Sequence, residues 1–502
     1  MTDDRPPHGS DDRFPAPVYA ETVLAVNFED ARRYFLDSLL EIHAAHALML
    51  ARAGILAEAE ARACLEALAS LDRAKLSGAR FDGGAEDLFF YVHEELERLA
   101  GAETAGRLQT ARSRNDIDIA LYRMRLRAEL LRLAEAVLRG REVLVYRAAQ
   151  NLESLMPAYT HTQPAQPTTV AHYLMAAAAF AGRDLDRLRA AFDVVNRSPL
   201  GACAITTTGF PIDRSYTAEL LGFEGLVENS YDAIAGIDYV TGAAGALASA
   251  MVNLGRLAQD LLLWCTEEFG ALRLSGGYVQ SSSIMPQKRN PVALEHARIL
   301  SSKALGQAQA ILTAVHNTPF GDIDDNEDDL QPLVLAAFHD GARAWRLFAA
   351  LFAAAEIDRD RLRRRSSGDF LTVTELADTL VRREGLSFTA AHHLVAEAVR
   401  ASGDDRTPQR LAAELKRLAP DRLGRPLRST EKEWLEALDP EYFVRVRVVR
   451  GGPAPAEVSR QIDQASRENE AARAWLNEKT ALLARYPERI RQAARERGAG
   501  GW

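Results

Sequence analysis

The residues best suited to chemistry stand together in one polar segment, residues 281–291, which reads Ser-Ser-Ser-Ile-Met-Pro-Gln-Lys-Arg-Asn-Pro. Three hydroxyls precede the charges of Lys288 and Arg289 and the amide of Asn290. Asn290 is a favoured N-cap and Pro291 a favoured first helical residue, so we expect a helix to begin here. Free N–H groups at a helix N-terminus, together with the Lys288 ammonium, would suit a carboxylate. The alternative is an ordinary polar loop followed by a capped helix.

Two further polar segments interrupt the helical patterns of the chain. Residues 106–116 end with two arginines, a serine and an asparagine at 112–115, directly before a long helical pattern, which would suit a second carboxylate. Residues 160–167 begin with Thr160 and His161 and precede another helical pattern. This pair indicates either a binding loop or a capped histidine of the core.

Long helices must position these three segments. Apolar residues recur with helical spacing over five unusually long stretches, which are 116–155, 169–196, 233–269, 291–316 and 329–363. Helices of this length are typical of a long bundle. The third stretch has a heptad seam, with spacings that alternate between three and four, at Ala244, Leu247, Met251, Leu254, Ala258, Leu261 and Cys265.

The same stretch has small residues on its other faces, including Gly242, Gly245 and Gly255. A helix that is apolar on more than one face must be buried on more than one side. We therefore expect several copies of the chain to share one bundle. The alternative is a single chain with an unusually thick core.

The chain divides into four regions by its patterns. We expect a flexible tail over 1–20, an N-terminal helical domain over 21–115, a central long-helix domain over 116–365 and a C-terminal helical domain over 366–502. Residues 443–449, Phe-Val-Arg-Val-Arg-Val-Val, are the clearest strand signal. Residues 456–497 are predicted to form one charged amphipathic helix.

Composition excludes several classes of protein. The 502 residues carry 61 Lys and Arg against 70 Asp and Glu, and a net charge of −9 disfavours general nucleic-acid binding. The three cysteines have no spacing typical of a disulfide framework or a zinc cluster, which favours a reducing compartment. The polar N-terminus lacks an apolar signal core, and no stretch is apolar enough to span a membrane. We expect a cytoplasmic protein that binds neither nucleic acid nor membrane.

The polar segments resemble a known family. Ser-Ser-x-Met-Pro-x-Lys-x-Asn is the signature of the aspartase/fumarase superfamily, and residues 282–290 match it completely, although Ser281 stands where the family usually has glycine. Ser113–Asp116 resembles the Ser-Arg-Asn-Asp segment of argininosuccinate lyases, and residues 160–163 resemble the family's Thr-His-x-Gln segment. The resemblance implies an all-α subunit of three domains in a homotetramer, with each active site shared by three subunits. It implies no metal and no cofactor.

The family's reaction removes a group from the carbon next to a carboxylate-bearing CH2 and gives fumarate. By resemblance, Ser282 is the general base, and Lys288 and Asn290 hold the carboxylate that becomes a dianion. The residues expected to position the rest of the substrate are Ser113, Arg114, Asn115, Thr160, Ser283 and Gln331.

His161 corresponds to the family's binding or proton-shuttling histidine, and Glu295 to the carboxylate that orients it. A carboxylate partner favours the protonated imidazole. We expect this pair to have a supporting catalytic role, with protonation of the leaving amine as one candidate.

Several departures bear on the substrate. The family's His-Thr-Gly-Arg-Ser-Arg-Asn-Asp-Gln segment has Gln109, Ala111 and Ile117 at its first, third and last positions here. Its Glu-Asp-Ile-His segment reads Glu-Asp-Leu-Phe at 86–89, and its arginine-binding segment is replaced by the acidic region 317–332. This pattern looks more like the enzymes of the ethylenediamine-N,N'-disuccinate lyase type than like argininosuccinate lyase itself. We therefore expect a carbon–nitrogen lyase that reversibly splits an N-substituted aspartate into fumarate and an amine.

The acidic carboxylates of 322–329 could recognise a cationic amine, or they could form a solvated loop. Three alternatives to this function remain open: argininosuccinate lyase, a non-catalytic scaffold of the crystallin kind on the same fold, and a metalloenzyme that uses His43 and His46. The last is disfavoured because these histidines lie among apolar residues, where histidines of the core are commoner than ligands.

Overall fold

Helices account for most of residues 14–501, the part of the chain that the computed structural model describes. The N-terminal helices are α1 (Pro17–Tyr19), α2 (Ala25–Tyr34), α3 (Leu36–Arg52), α4 (Glu58–Ser70), α5 (Arg73–Gly78), α6 (Leu88–Ala100) and α7 (Ala102–Arg107). Residues 1–13 of the predicted tail lie outside the described residues, and α1 begins within the predicted tail.

The predicted all-α fold with long central helices is confirmed. The central region contains α8 (Arg114–Ala149), α9 (Val170–Val195), α10 (Arg214–Leu220), α11 (Ser230–Ala235), α12 (Asp238–Trp264), α13 (Val292–Val315) and α14 (Gln331–Ala353). The five long helices α8, α9, α12, α13 and α14 coincide with the five predicted stretches. They pack side by side, α8 against α9 and α14, and α13 against α12 and α14.

The heptad seam of α12 lies in the core of the chain. Its residues from Ala244 to Leu261 are nearly or fully buried, whereas Cys265 is half-buried. Two glycines let neighbouring helices approach closely: a Cβ at Gly341 would lie 2.6 Å from Leu247 Cδ1, and one at Gly140 would lie 2.5 Å from Trp345 Cε3. Close packing therefore fixes the ends of the helices, where the polar segments begin.

A second face of α12 is open to solvent in the single chain. Gly242, Gly245, Val252 and Leu263 are exposed on this face, which also carries the polar residues Ser249, Arg256 and Gln259. Val252 is 44% exposed and Leu263 41%. Ile299, on the adjacent helix α13, is 58% exposed. One chain thus leaves several apolar side chains of α12 and α13 exposed among polar ones.

Three short antiparallel pairs connect the long helices. β1 (Leu155–Thr160) pairs with β2 (Gln163–Thr169), β3 (Leu272–Arg273) pairs with β6 (Glu356–Ile357), and β4 (Gln280–Ser281) pairs with β5 (Arg289–Asn290). The first and third pairs are hairpins, and each presents one predicted signature segment at its end.

The C-terminal region contains α15 (Arg359–Ser366), α16 (Val373–Glu384), α17 (Phe388–Ser402), α18 (Pro408–Leu423), α19 (Glu431–Ala437), α20 (Pro440–Arg445) and α21 (Pro455–Glu496). Helices α16 to α19 enclose a small apolar core of their own. The predicted charged helix over 456–497 is confirmed as α21, which packs against α8 and α9.

The predicted strand at 443–449 is wrong. Residues up to Arg445 complete α20, and a turn follows. Asp439 caps this helix by accepting the Tyr442 N–H at 2.7 Å, and Pro440 occupies the first helical position. Phe443 and Val444 are both buried, so adjacent apolar residues share one helix face where a strand would alternate them. Start signals of a helix overrode the β propensity of the valines.

One buried carboxylate gives the small C-terminal core a testable pH dependence. Glu384 is 5% exposed and accepts hydrogen bonds from the Ser429 N–H and hydroxyl, both at 2.7 Å, and from the Arg428 N–H at 2.8 Å. Burial alone would raise the pKa of Glu384, but these bonds and the Arg425 guanidinium hold it at about 2. Because this pKa is depressed on folding, its contribution to stability is present above about pH 4.5 and is lost as the pH falls towards 2.

We expect Glu384→Gln to lower the free energy of unfolding by about 3 kcal/mol at pH 7 and by little near pH 2. Denaturant titrations at a series of pH values measure this. The exposed Glu431→Gln serves as control and should stay within about 0.5 kcal/mol. An equal loss at both ends of the pH range would contradict the assigned cause.

Candidate active site

The loop of the first signature segment is the turn of the β4–β5 hairpin. The Ser282 hydroxyl oxygen accepts hydrogen bonds from the backbone N–H groups of Ile284, at 3.3 Å, and Met285, at 3.1 Å. Ser282 is half-buried, whereas the neighbouring Ser283 is exposed. Two N–H dipoles aimed at one oxygen stabilise negative charge on it, as an alkoxide base requires.

Lys288 is exposed at the far end of this loop. Its backbone N–H donates to the Met285 carbonyl at 3.0 Å, which closes the turn. Its ammonium group has no hydrogen-bond or ion-pair partner within residues 14–501. The neighbouring Arg289 donates to the Leu274 carbonyl at 2.9 Å and anchors the strand. The Lys288 ammonium group is therefore available to an anion.

The expected helix start at this loop needs correction. Asn290 pairs with Gln280 in the β4–β5 ladder, so it cannot cap α13. Pro291 occupies the N-cap position, no side chain caps the helix, and α13 begins at Val292. Strand pairing in the hairpin therefore prevents the N-cap role that local preference predicts for Asn290. The exposed Glu295 lies in the first turn of α13, as predicted.

The second signature segment forms the tip of the β1–β2 hairpin. Thr160 pairs with Gln163, so His161 and Thr162 form a two-residue loop. Both have positive φ, 51° and 59°, as a tight hairpin loop with the twist of its strands requires. This backbone conformation is energetically costly for residues other than glycine, so the tip of the hairpin is strained. Thr160 and His161 are both exposed there.

The third signature segment caps the long helix α8. The Ser113 hydroxyl is the N-cap acceptor for the Asn115 N–H at 3.4 Å, and Asp116 accepts the Ser113 N–H at 3.2 Å. The other Asp116 oxygen accepts the N–H groups of Gly201 and Cys203, at 2.8 and 2.9 Å. These bonds oppose the effect of burial, which raises the pKa of Asp116 to about 6.

Asn115 also contacts the segment around Cys203. Its side-chain amide donates to the Ala204 carbonyl at 3.1 Å. The segment 201–204 is thus held by two residues of the signature, through both a carboxylate and an amide. The positions of Ser113, Arg114 and Asn115 are fixed by backbone hydrogen bonds on either side of them.

A buried polar network lies next to the third signature segment. The Arg112 guanidinium, one residue before Ser113, contacts His43 Nδ1 at 3.0 Å and the Gln109 amide oxygen at 3.0 Å. Burial lowers the pKa of His43 well below its usual value, and the pKa of His46 to about 3. A guanidinium beside His43 would repel a metal cation, so this arrangement disfavours the metalloenzyme alternative.

Arg114 lies at the mouth of a cavity of about 290 Å³. Its guanidinium forms ion pairs with Asp87 and, at 3.5 Å, with Glu86. The cavity lies between the N-terminal segment, α8 and the acidic region, and its carboxylates are Glu86, Asp87, Asp118, Asp324, Glu327, Asp328 and Asp329. The acidic region thus meets the Arg114 segment within a single chain.

Two residues differ from expectation at this cavity. Gln331 is 3% exposed, donates to the Asn326 carbonyl at 3.4 Å and does not line the cavity, so it holds the acidic region in place. Asp118 lines the cavity but was missed by sequence reasoning. The available signal was its spacing, because Asp118 follows Arg114 by four residues and shares its helix face.

The three signature segments are not bonded to one another within the described part of one chain. No hydrogen bond or ion pair among the described residues joins any two of them. His161 and Glu295 are both exposed and have no contact of these kinds with each other. Each segment is presented separately at the surface of the subunit.

Among residues 14–501, none of the helices combines the length and hydrophobicity required to span a membrane. The same residues contain no group of three or more His, Cys, Asp or Glu side chains arranged to hold a metal ion.

Comparison with known proteins identifies the family of the chain. Residues 25–306 match a family model described as lyase, and residues 370–445 match one described as argininosuccinate lyase C-terminal. Argininosuccinate lyase 2 of Agrobacterium fabrum is 42% identical over 459 residues, which are 91% of each chain. Argininosuccinate lyase 1 of Shouchella clausii is 38% identical, over 86% of this chain and 87% of that one.

Solved structures of lyases are also similar to this chain. A crystal structure of EDDS lyase with formate matches with a TM-score of 0.85 and 33% identity, over 93% of this chain and 92% of that one. A variant of EDDS lyase has been solved with bound fumarate and matches equally well, with a TM-score of 0.85. Class II fumarase from Schistosoma mansoni, at 17% identity and a TM-score of 0.64, shares the fold. The chain therefore belongs to the argininosuccinate lyase-like family of the aspartase/fumarase superfamily, and it is a carbon–nitrogen lyase.

Proposed function

We propose that this enzyme reversibly cleaves an N-substituted aspartate into fumarate and an amine, by anti β-elimination in the manner of the EDDS lyases. The observation that carries this proposal is the Ser282 hydroxyl, whose oxygen accepts two backbone N–H groups in the same loop as the unpaired Lys288 ammonium. A serine in this setting can act as a base towards a weakly acidic carbon, because its alkoxide is stabilised electrostatically.

The Ser282 alkoxide takes a proton from the CH2 carbon, and the C–H electrons spread into the adjacent carboxylate as a doubly negative aci-carboxylate. Lys288 and Asn290 hold that carboxylate. The electrons then form the C=C bond of fumarate as the C–N bond breaks and its electron pair leaves with nitrogen. The leaving amine takes up one proton.

The other substrate carboxylate is assigned to residues of all three signature segments. Arg114 supplies charge, and the hydroxyls and amides that complete the contacts are those of Ser113, Asn115, Thr160 and Ser283. His161, oriented by Glu295 of another subunit, is assigned to donate the proton to the amine. Its position at an exposed hairpin tip supports this assignment, since the tip can reach into a site formed by neighbouring chains.

We infer that the active enzyme is a homotetramer in which three subunits form each active site. Two observations support this: no hydrogen bond or ion pair joins the signature segments within the described part of one chain, and Val252, Leu263 and Ile299 expose apolar surface on α12 and α13. Such surface on long helices suits association into a shared bundle.

Mixing two inactive variants tests the sharing of sites. We expect Ser282→Ala and Arg114→Ala homotetramers to be inactive alone. Refolded together, they should regain activity in up to about a quarter of the sites, because some sites then receive both intact segments. A mixture as inactive as its components would contradict a site built from different subunits.

A second candidate is argininosuccinate lyase, which the names of the curated relatives favour. The two candidates differ in the amine, so an assay of fumarate with a panel of amines decides between them. Ultraviolet absorbance follows the consumption of fumarate. Addition of arginine alone would establish argininosuccinate lyase, and addition of other amines would support the broader proposal. No reaction with any amine would favour the non-catalytic scaffold. We place the reaction in the cytoplasm, as the cysteine pattern of the sequence suggests.

A further inference from the structure

We propose that Gln166 and Thr374 are positioning residues for the elimination, because their hydrogen bond ties the β1–β2 hairpin to the C-terminal helices and so fixes His161 beside the leaving amine. This inference rests on the proposed function for the role of His161 as proton donor. It goes further because it assigns the position of that donor to helix α16, which has no other role in the reaction.

The β1–β2 hairpin has a packed base and an exposed arm. Residues 155–157 and 167–169 form the base and are buried, whereas every residue from 160 to 164 is exposed. His161 lies at the end of this arm. The core that fixes the base therefore does not by itself fix His161.

The strand ladder changes register where the arm begins. Ala158 lies opposite Gln166 and Tyr159 lies opposite Pro164, so the intervening Ala165 is left out of the pairing. A bulge of this kind interrupts the ladder and bends the strand. The arm can accordingly rotate about the bulge more easily than a regular ladder would allow.

A small rotation at the bulge is amplified at the end of the arm. His161 follows Ala158 by three residues, which is roughly 10 Å along an extended strand. A rotation of about 6° would thus displace His161 by roughly 1 Å. A misplacement of about 1 Å can lower a rate by roughly 100-fold. The activity therefore depends on what holds the arm at this bend.

Side-chain packing supports one side of the arm only weakly. A pocket of about 450 Å³ separates the hairpin from the end of α12 and from α20, and Tyr159, Thr162 and Gln166 form its hairpin wall. Across this pocket, the ring of Tyr159 meets that of Phe269 at 5.8 Å between centroids. A space of this size contains no side chains that could press against the arm, so a polar contact has more influence on its position.

The hydrogen bond between Gln166 and Thr374 acts at the bend itself. The Gln166 side-chain amide donates to the Thr374 hydroxyl at 3.0 Å. Thr374 lies in the first turn of α16, and Leu376 and Leu380 of the same helix are completely buried in the small C-terminal core. The bond therefore joins the start of the arm to a rigid support.

A second link between the same regions holds the base of the hairpin. His172, in the first turn of α9, contacts the Thr168 hydroxyl through Nδ1 at 2.9 Å, and its Nε2 donates to the Gly451 carbonyl at 3.0 Å. This link keeps the base and the C-terminal region together when the Gln166 bond is lost. Removal of the Thr374 hydroxyl should thus loosen the arm without releasing the domain.

The identity of the leaving amine distinguishes a displaced proton donor from a damaged fold. A general acid assists a strongly basic amine most, because such an amine leaves poorly without a proton. A weakly basic arylamine needs less help. Displacement of His161 should therefore slow the release of an alkylamine selectively, whereas general loosening of the subunit would slow both reactions alike.

Thr374→Val removes the hydroxyl at nearly constant size. We expect kcat for N-butylaspartate to fall about tenfold with KM within about twofold, and kcat for N-phenylaspartate to fall by no more than about twofold. Thr374→Ser keeps a hydroxyl and should restore the wild-type values. Thr389→Val is the matched control, because it makes the same change at an exposed position of α17. Equal losses with both substrates, or no loss with either, would overturn the inference.

The other end of the bond provides an independent test. Gln166→Leu removes the donor and should lower kcat for N-butylaspartate by the same factor of about ten. Because both changes break one bond, the double variant with Thr374→Val should lose about tenfold and not about 100-fold. Losses that multiply would show that the two residues act separately, and would contradict the proposal.

Hydrogen–deuterium exchange separates this inference from the proposed function, because it needs no turnover. In Thr374→Val, peptides that cover residues 158–166 should exchange at least about fivefold faster than in the wild-type enzyme, while those of α9 and α16 keep their rates. Unchanged exchange in the arm would refute the link to the C-terminal helices. Faster exchange in the arm, combined with a wild-type enzyme that releases fumarate from neither substrate, would refute the proposed function but keep that link.

Discussion

Ser282→Ala is expected to lower kcat by roughly 10³-fold or more, with the fold and the binding of fumarate preserved. The CH2 proton is very weakly acidic, so elimination needs a strong base at a fixed position. Among residues 14–501, the Ser282 oxygen accepts two backbone N–H groups in the same loop as Lys288, whose ammonium has no partner within that range. Methyl in place of hydroxymethyl removes that base and leaves the hairpin ladder unchanged.

The measurement is steady-state formation of fumarate, with fumarate binding followed separately by calorimetry. Ser281→Ala is the matched control, because Ser281 lies in strand β4 one residue earlier and has no catalytic assignment. It should keep kcat within about threefold of the wild-type value. Retention of most turnover by Ser282→Ala would refute the assignment of the base.

Lys288→Met should have the second largest effect, a loss of roughly 10² to 10³ in kcat with a smaller change in KM. Lys288 is expected to interact more strongly with the transition state than with the ground state. The substrate carboxylate carries one negative charge in the ground state and approaches two in the transition state. An ammonium group that has no competing partner stabilises the second charge most. Methionine keeps the length and apolar stem of the side chain but removes the charge.

Two comparisons make the Lys288 experiment specific. Lys288→Arg should recover part of the lost rate, since it restores the charge at a different geometry. Gln287→Ala, at the exposed neighbouring position, should behave like the wild-type enzyme. A rise in KM alone, with kcat unchanged, would mean that Lys288 binds ground state and transition state equally and does not stabilise the dianion.

The sequence was a reliable guide where one signal was strong and local. The long helices followed from sustained helical spacing, and the buried seam of α12 followed from its heptads. Two expectations failed, one because of strand pairing and one because of local helix signals. Asn290 pairs in a two-strand hairpin that has almost no periodicity to detect, and Val444 lies in a helix that Asp439 and Pro440 start.

The cavity could be foreseen only in part. The acidic region was evident from its composition, but its neighbours come from helices far away in the sequence. Asp118 lies on α8 and Tyr122 one turn later, and the Tyr122 hydroxyl reaches Asp328 across 206 positions in the chain. No local pattern encodes such a contact. The positive φ of His161 and Thr162 was equally hidden, because these residues do not resemble the glycine and asparagine that usually occupy such turns.

The addition of an amine to fumarate in D2O tests the central claim most directly, with the product analysed by NMR. The account predicts an N-substituted aspartate with a single deuteron at its CH2 carbon, in one configuration, formed by the wild-type enzyme and not by Ser282→Ala. Deuterium distributed over both positions of that carbon, or the same labelled product from Ser282→Ala, would contradict proton transfer by Ser282 on one face of the substrate.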